Sequence, residues 1–265
     1  MDAINRTSQV LSHITSTSST SMSHEHCVTG AIHSGNPVGS ESVIEGRPTY
    51  ITGSDKTTAV LYLTDVFGHK LTNHQLLADT FAKELSATVY VPDFLDDSVF
   101  PLDEEERKKI DFGKFAAFNA KDKRFPQILA VAEHLKSKYQ RVLAIGYCWG
   151  AWGCMMLAAK QGLVTAVSIN HPSALAIPED LENCTVPCLI VAPYTDPQFP
   201  QETRIIAEEI FDRKAKEQKV FSKIAVYPGF VHGFAARGDT GDEFTNGAIE
   251  DAKNESVVFF RRFLK

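Results

Sequence analysis

The chain has 265 residues, 43% of them hydrophobic, and a formal net charge of −6 from 27 basic and 33 acidic residues. That length suits one large domain or two small ones, and one core can bury about three-quarters of the unfolded surface. The charges are mixed with no basic stripe, which argues against a nucleic-acid partner, and no apolar run approaches the ~20 residues that cross a bilayer.

Residues 7–22, TSQVLSHITSTSSTSM, are rich in Ser and Thr and contain no acid. Such a segment cannot build a core and is expected to be disordered, so residues 1–44 are set outside the folded domain. Scarce acids and abundant hydroxyls also fit a mitochondrial presequence. Arg6 as the sole arginine and the opening Met1-Asp2 argue against that address. His24, His26 and Cys27 share this stretch, where metal binding would be adventitious.

From residue 46 strands and helices alternate, within one domain over 45–265. RPTYITG (47–53) and TTAVLYLTD (57–65) are β-rich. NHQLLADTFAKEL (73–85) carries Leu77, Phe81 and Leu85 at a spacing of four, a helical stripe with Thr72 or Asn73 as cap. ATVYVPDF (87–94) is the next strand. Residues 99–122 are charged and irregular, with DEEERKK at 103–109, and read as a solvated helix or lid. A helix over 125–139 and a buried strand over 141–146 follow. Then come a short apolar helix, strands over 164–170 and 187–194, a helix over 201–218, a strand over 221–228 and a closing helix over 247–264. Repeated β-α-β alternation with near-continuous Val/Ile/Leu strands predicts a mainly parallel sheet covered on both faces. There is no Gly-rich phosphate loop.

The five cysteines, Cys27, Cys148, Cys154, Cys184 and Cys188, are few and odd in number. They favour reduced thiols and a cytoplasmic protein over a disulfide framework. Cys184 and Cys188 flank Val186-Pro187 without two further ligands nearby, so they read as free thiols and not as half of a metal site. Cys148 differs from the rest. It stands in GYCWGAW (146–152), at the end of one buried strand and the start of one buried helix.

A strand ending in G-x-nucleophile-x-G and turning directly into a helix is the nucleophile elbow of α/β-hydrolases. The nucleophile sits in a strained turn, so Gly146, Gly150 and Ala151 keep space around it. The helix N-terminus adds partial positive charge that favours a thiolate. The elbow requires an acid after a later strand and a histidine after one more. Asp196 follows the strand over 187–194, and His232 follows the strand over 221–228. Cys154, one and a half turns along the helix, reads as core. His171, after the strand that precedes the acid, reads as a pocket or loop residue.

With TDVFGH (64–69), VPDF (91–94), NHPSAL (170–175), TDPQF (195–199) and HGFAARGD (232–239), the elbow resembles the dienelactone hydrolase family, most nearly its eukaryotic branch. The resemblance covers about residues 45 to 265. It implies an α/β-hydrolase fold with a Cys-His-Asp triad and neither metal nor organic cofactor. On this chain Cys148 would be the nucleophile, His232 the general base and then acid, and Asp196 the residue orienting the imidazole. The N–H groups of Val66 and Trp149 would form the oxyanion hole. Bacterial members carry a glutamate where Asp65 stands, paired with the resting thiol, and Asp is one methylene shorter. They also place a substrate-binding arginine four residues after the histidine, whereas Arg237 comes five after His232. Asp65 and Arg237 are therefore candidate substrate-site residues, with a surface pairing of Arg237 to Asp239 or Asp242 as its alternative and Arg107 as the next cation to consider.

The expected reaction is hydrolysis of an activated, dienelactone-like ester or lactone through a thioester. The expected assembly is a monomer or weak homodimer, away from membranes. Two rivals remain open at this point: a thioesterase or cyclase on the same triad, and a non-catalytic small-molecule binding protein.

Overall fold

A computed structural model describes residues 30–265. The strands are Ser40–Ile44 (β1), Arg47–Thr52 (β2), Thr58–Leu63 (β3), Thr88–Pro92 (β4), Arg141–Tyr147 (β5), Ala166–Asn170 (β6), Cys188–Thr195 (β7) and Ser222–Val231 (β8). The helices are Thr72–Leu85 (α1), Glu104–Arg107 (α2), Phe112–Phe118 (α3), Lys121–Lys138 (α4), Gly150–Ala158 (α5), Glu179–Asn183 (α6), Gln201–Gln218 (α7), Phe234–Arg237 (α8) and Glu243–Arg261 (α9). The eight strands form one sheet in the order β1-β2-β4-β3-β5-β6-β7-β8. β2 is antiparallel to both its neighbours, and every other pair from β4 to β8 is parallel.

The apolar strands follow from burial on both faces. One face packs Leu61, Leu63, Ala144 and Ile190 against Ile128 and Leu135 of α4, Leu157 of α5 and Ile210 of α7. The other packs Val60, Tyr62, Ile145 and Leu189 against Leu77 and Phe81 of α1 and Ala252 and Phe260 of α9. The stripe that marked α1 in the sequence is thus the stripe it buries. Among the described residues no helix is long and apolar enough to cross a membrane.

Three details depart from the sequence reading. First, residues 30–44 belong to the folded body. β1 pairs with β2 from Ser40 opposite Ile51 to Ile44 opposite Arg47. Ahead of it, Ala31 N–H donates to Arg237 O (2.7 Å) and His33 N–H donates to Asn73 Oδ1 (2.8 Å). Residues 1–29 lie outside the described residues, and with them the expected disorder, the presequence alternative and Cys27. Second, neither Thr72 nor Asn73 caps α1; the N-cap is Leu71 and makes no side-chain cap bond. Asn73 is fully buried and is used as a knot instead, donating from Nδ2 to the carbonyls of Ala31 and Ala236. It joins the N-terminal stretch, α1 and α8. Third, the charged stretch over 99–122 divides into two short helices, each with an aspartate cap: Asp103 accepts from Glu106 N–H, and Asp111 from Lys114 N–H. α2 stays in solvent, while α3 comes to lie over the site.

A chain beginning at residue 45 should therefore be less stable than the full chain. It loses a strand and the ties to Asn73 and Arg237, worth several kcal/mol together, and its Tm should fall by about 5 °C or more. Matched thermal melts check this, and equal Tm values would show that the segment adds nothing.

Candidate active site

β5 ends at Tyr147 and α5 begins at Gly150, so Cys148 and Trp149 alone turn the chain. Cys148 has φ +47°, in the left-handed region, where a non-glycine residue costs about 1–3 kcal/mol. The glycines show what forces it there. A Cβ on Gly146 would meet Gly150 O at 2.6 Å, and a Cβ on Gly150 would meet Leu63 O at 2.3 Å. The start of α5 is pressed onto β3 and β5, and any side chain at either position would push it away. Backbone bonds lock the corner: Cys148 N–H donates to Asn170 O (3.0 Å), and Cys148 O accepts from Ala151 N–H (3.1 Å) and Ser173 N–H (3.2 Å). Ser173 Oγ lies 3.6 Å from Cys148 Sγ.

Asp196 and His232 are brought together by strand register. β7 and β8 run parallel, and after an irregularity between Pro193 and Thr195 the pair Thr195–Val231 resumes the register. The next residue on each strand is Asp196 and His232. His232 Nδ1 lies 2.9 Å from Asp196 Oδ2, and Asp196 Oδ1 accepts from Gln198 N–H at 2.9 Å. Arg204 of α7 is buried and donates to the carbonyls of Pro193, Tyr194 and Phe199, which pins the loop that carries Asp196. Burial by itself would lower the His232 pKa. The negative charge of Cys148, together with the Asp196 carboxylate, outweighs it and raises the imidazole to about 9. Asp196 and His232 thus meet at the carboxyl edge of the sheet, the edge to which β5 also delivers Cys148.

His171 stands beside them. It is fully buried with φ +36°, its ring 5.1 Å from that of His232 and 5.7 Å from that of Tyr147. Burial first, then the positive charge of His232 and Arg237, hold its pKa well below the usual histidine value, so it stays neutral. It belongs to the wall behind the imidazole and does not line the hollow at Cys148. Cys154 is core, and burial pushes its thiol pKa up. Cys184 and Cys188 are buried free thiols.

Cys148, Val66 and Trp149 line a single hollow of about 340 Å³, with Phe112 and Phe115 from α3, Trp152 from α5, Lys121 and Ser173 also in its wall. Neither the Val66 nor the Trp149 backbone N–H has a hydrogen-bond partner among the described residues. Two larger hollows, of about 590 and 480 Å³, do not reach Cys148. Sequence reasoning missed the aromatic wall, because residues 99–122 show charge and no periodicity; the Phe112–Phe115 spacing was its available signal. It also missed His74 and the contact of Ser173 with the thiol. Among the described residues no cluster of three or more His, Cys, Asp or Glu side chains is arranged to hold a metal ion.

Asp65 and Arg237 take a different place from the expected one. Both are buried, neither lines the hollow at Cys148, and they form an ion pair with each other. Arg237 pairs with neither Asp239 nor Asp242 through any described salt bridge, because the helical turn of α8 folds its side chain back under Gly233 and into the protein. Its guanidinium also lies 4.9 Å over the Phe67 ring. Asp65 reaches His74 Nε2 at 2.8 Å and accepts from Phe67 N–H at 2.9 Å. His74 Nδ1 in turn lies 2.8 Å from the Tyr62 hydroxyl. Burial pushes the Asp65 carboxyl up, but His74 and Arg237 more than reverse this and hold it well below the usual carboxylate range. Arg107, the next candidate, bonds the carbonyls of Pro101 and Leu102 outside the hollow.

The sheet order, the strained elbow after β5 and the acid and histidine after β7 and β8 define an α/β-hydrolase. The sequence matches the dienelactone hydrolase family over residues 47–264, and the chain belongs to that family. It is 32% identical over 253 residues to the hydrolase tropI of Talaromyces stipitatus, covering 90% of this chain and 96% of that protein. It is 30% identical to dienlactone hydrolase 1 of Gibberella moniliformis, covering 84% and 87%. Among solved structures it is similar to a putative dienelactone hydrolase from Klebsiella pneumoniae, with a TM-score of 0.66 at 16% identity, covering 85% of this chain and 99% of that one.

Since Arg237 neutralises Asp65, Arg237→Ala leaves a buried carboxylate short of its cation and should cost about 3–5 kcal/mol, about 10 °C in Tm. The folded Asp65 pKa is depressed, so its contribution is complete above the unfolded carboxyl pKa of about 4 and is lost as pH falls toward the folded value. The Tm gap between wild type and variant should therefore narrow below pH about 4. Unchanged Tm, with activity lost only on anionic substrates, would return Arg237 to the substrate.

Proposed function

We propose that this protein is a cysteine-dependent hydrolase of activated carboxylic esters or lactones, working through a Cys148–His232–Asp196 triad and a thioester acyl-enzyme. The observation that supports this most strongly is the placing of Cys148. It is held at φ +47° on the elbow, lines a hollow with Val66 and Trp149, whose N–H groups have no partner among the described residues, and raises the pKa of His232. A buried structural cysteine needs none of these. Relatives named as dienlactone hydrolases bring lactones into the substrate range.

The chemistry follows from the residues. The nine-residue helix α5 points its N-terminus at Cys148, and its partial positive charge joins the His232 imidazolium in favouring the thiolate. The thiolate attacks the carbonyl carbon and forms a C–S bond. The carbonyl oxygen becomes an oxyanion, held by the N–H groups of Val66 and Trp149; such a donor is worth about 3–4 kcal/mol. The C–O bond to the leaving group then breaks, and His232 gives that oxygen its proton. A water molecule next attacks the thioester, His232 takes its proton, and the C–S bond breaks. The acid leaves, and thiolate and imidazolium are restored. Asp196 holds the Nδ1 proton throughout and leaves Nε2 for the reaction. A thiolate is a better leaving group than an alkoxide, so activated substrates such as enol-lactones and thioesters suit the site better than alkyl esters.

Cys148→Ala should lower kcat by about 10³-fold or more with the fold intact by circular dichroism. Turnover close to wild type would rule out the thiol mechanism. For wild type, kcat/KM should fall above pH about 9, as the imidazolium loses the proton it must donate. Asp196→Asn removes one of the groups that raise this pKa, so the alkaline limb should move to lower pH. A pH–rate series on both proteins, corrected for spontaneous hydrolysis, reads this directly.

A further inference from the structure

Resting on the thiol-hydrolase reading above, we infer that the part of the substrate buried beside Cys148 is an uncharged aromatic ring: the substrates are thioesters, esters or lactones of aromatic acids. The hollow holds about 340 Å³, at the small end of ligand sites. Four rings wall it, Phe112 and Phe115 on α3 and Trp149 and Trp152 at the start of α5. The two indoles meet edge to face, 5.3 Å apart at 89°. The two phenyl rings lie 5.8 Å apart at 49°. The wall is fixed before any guest arrives, because Phe100 stands behind it, edge-on to Phe112 at 5.7 Å and to Phe115 at 4.8 Å. α3 itself is anchored at both ends, by the Asp111 cap and by Asn119, whose Nδ2 donates to Ser98 Oγ at 2.9 Å.

The electrostatics select against a buried anion. Ring faces are electronegative and ring edges electropositive, so a flat aromatic guest finds both stacked and edge partners. A carboxylate in the same place would meet π faces and lose its water without a fixed cation in return. Arg237 is committed to Asp65, and Arg107 to carbonyls outside the hollow. Among the described residues Lys121 is the one cationic side chain in the lining. It stands at the rim, 39% exposed, 3.8 Å from the Asp180 carboxylate and 5.8 Å from the centre of the Trp152 ring. The Asp180 carboxylate already shares its charge.

The test uses N-acetylcysteamine thioesters, whose leaving group is not aromatic. Acetyl, butanoyl, succinyl, cyclohexanecarbonyl and benzoyl thioesters are compared by kcat/KM, each divided by its rate with hydroxide. Benzoyl should exceed cyclohexanecarbonyl by about 10-fold, the worth of an aromatic pairing. Butanoyl should exceed the anionic succinyl compound by about 10-fold or more, the loss expected for an unpaired buried charge. Phe112→Leu and Phe115→Leu should each bring the benzoyl-to-cyclohexanecarbonyl ratio toward one. A flat series, or a preference for succinyl, overturns the inference, and the wild-type series decides this without the variants. Should Cys148→Ala still turn over the acetyl thioester, the thiol-hydrolase reading fails. Should it be inactive while the series is flat, the aromatic specificity alone fails.

Discussion

The close approach of α5 to β3 governs the rest of the site. A Cβ on Gly150 would lie 2.3 Å from the Leu63 carbonyl oxygen, so the helix can start there only with glycine. The chain leaving β5 then has two residues in which to turn, and Cys148 is driven to φ +47°. That strain costs about 1–3 kcal/mol. It is offset by what the helix buries: Trp152 and Leu157 are almost completely enclosed, and each large apolar side chain contributes about 1.5–3 kcal/mol. The same approach sets Trp149, with Val66, in the wall of the hollow at Cys148. Packing energy thereby holds the thiol in its strained turn.

A second layer supports the histidine. Tyr62, His74, Asp65 and Arg237 form a buried polar chain between the sheet and α1 and α8. Its anionic and cationic members answer each other, which keeps the cost of burying them acceptable. α8 begins at Gly233, directly after His232, so the ion pair fixes the turn on which the imidazole stands. Arg237 O also accepts from Ala31 N–H, which ties residues 30–44 to the same turn. The result is a division of labour: ionic groups hold the frame, while aromatic rings line the hollow beside Cys148.

Much of this was legible in the sequence, and the physical reasons differ from part to part. The strands are readable because burial on both faces makes them continuously apolar, and α1 because burial of one face gives its apolar residues a period. The elbow was readable because the crowding at Gly146 and Gly150 excludes every side chain, and Asp196 and His232 because strand ends deliver them to one edge. The pairing of Arg237 is not legible in the sequence. Spacing from His232 gives its distance along the chain, but the partner is Asp65, 172 residues away, and no local pattern announces such a pairing. Residues 30–44 were set outside the domain because β1 is short, polar and exposed, held by backbone bonds to β2 and not by a core. The aromatic wall was hidden for a related reason: α3 is seven residues long and only Phe115 is buried in it, too little for a period to show.

The proposed mechanism turns on a covalent thioester at Cys148. It is tested most directly by mixing wild-type protein with an excess of reactive aromatic thioester, quenching in acid within the first turnovers, and mapping the acyl mass by peptide mass spectrometry. One acyl group is expected, on the peptide carrying Cys148, released by neutral hydroxylamine and persisting longer in His232→Ala, where water is no longer activated. Steady turnover with no adduct on that peptide, or a hydroxylamine-sensitive adduct on a different residue, would contradict it.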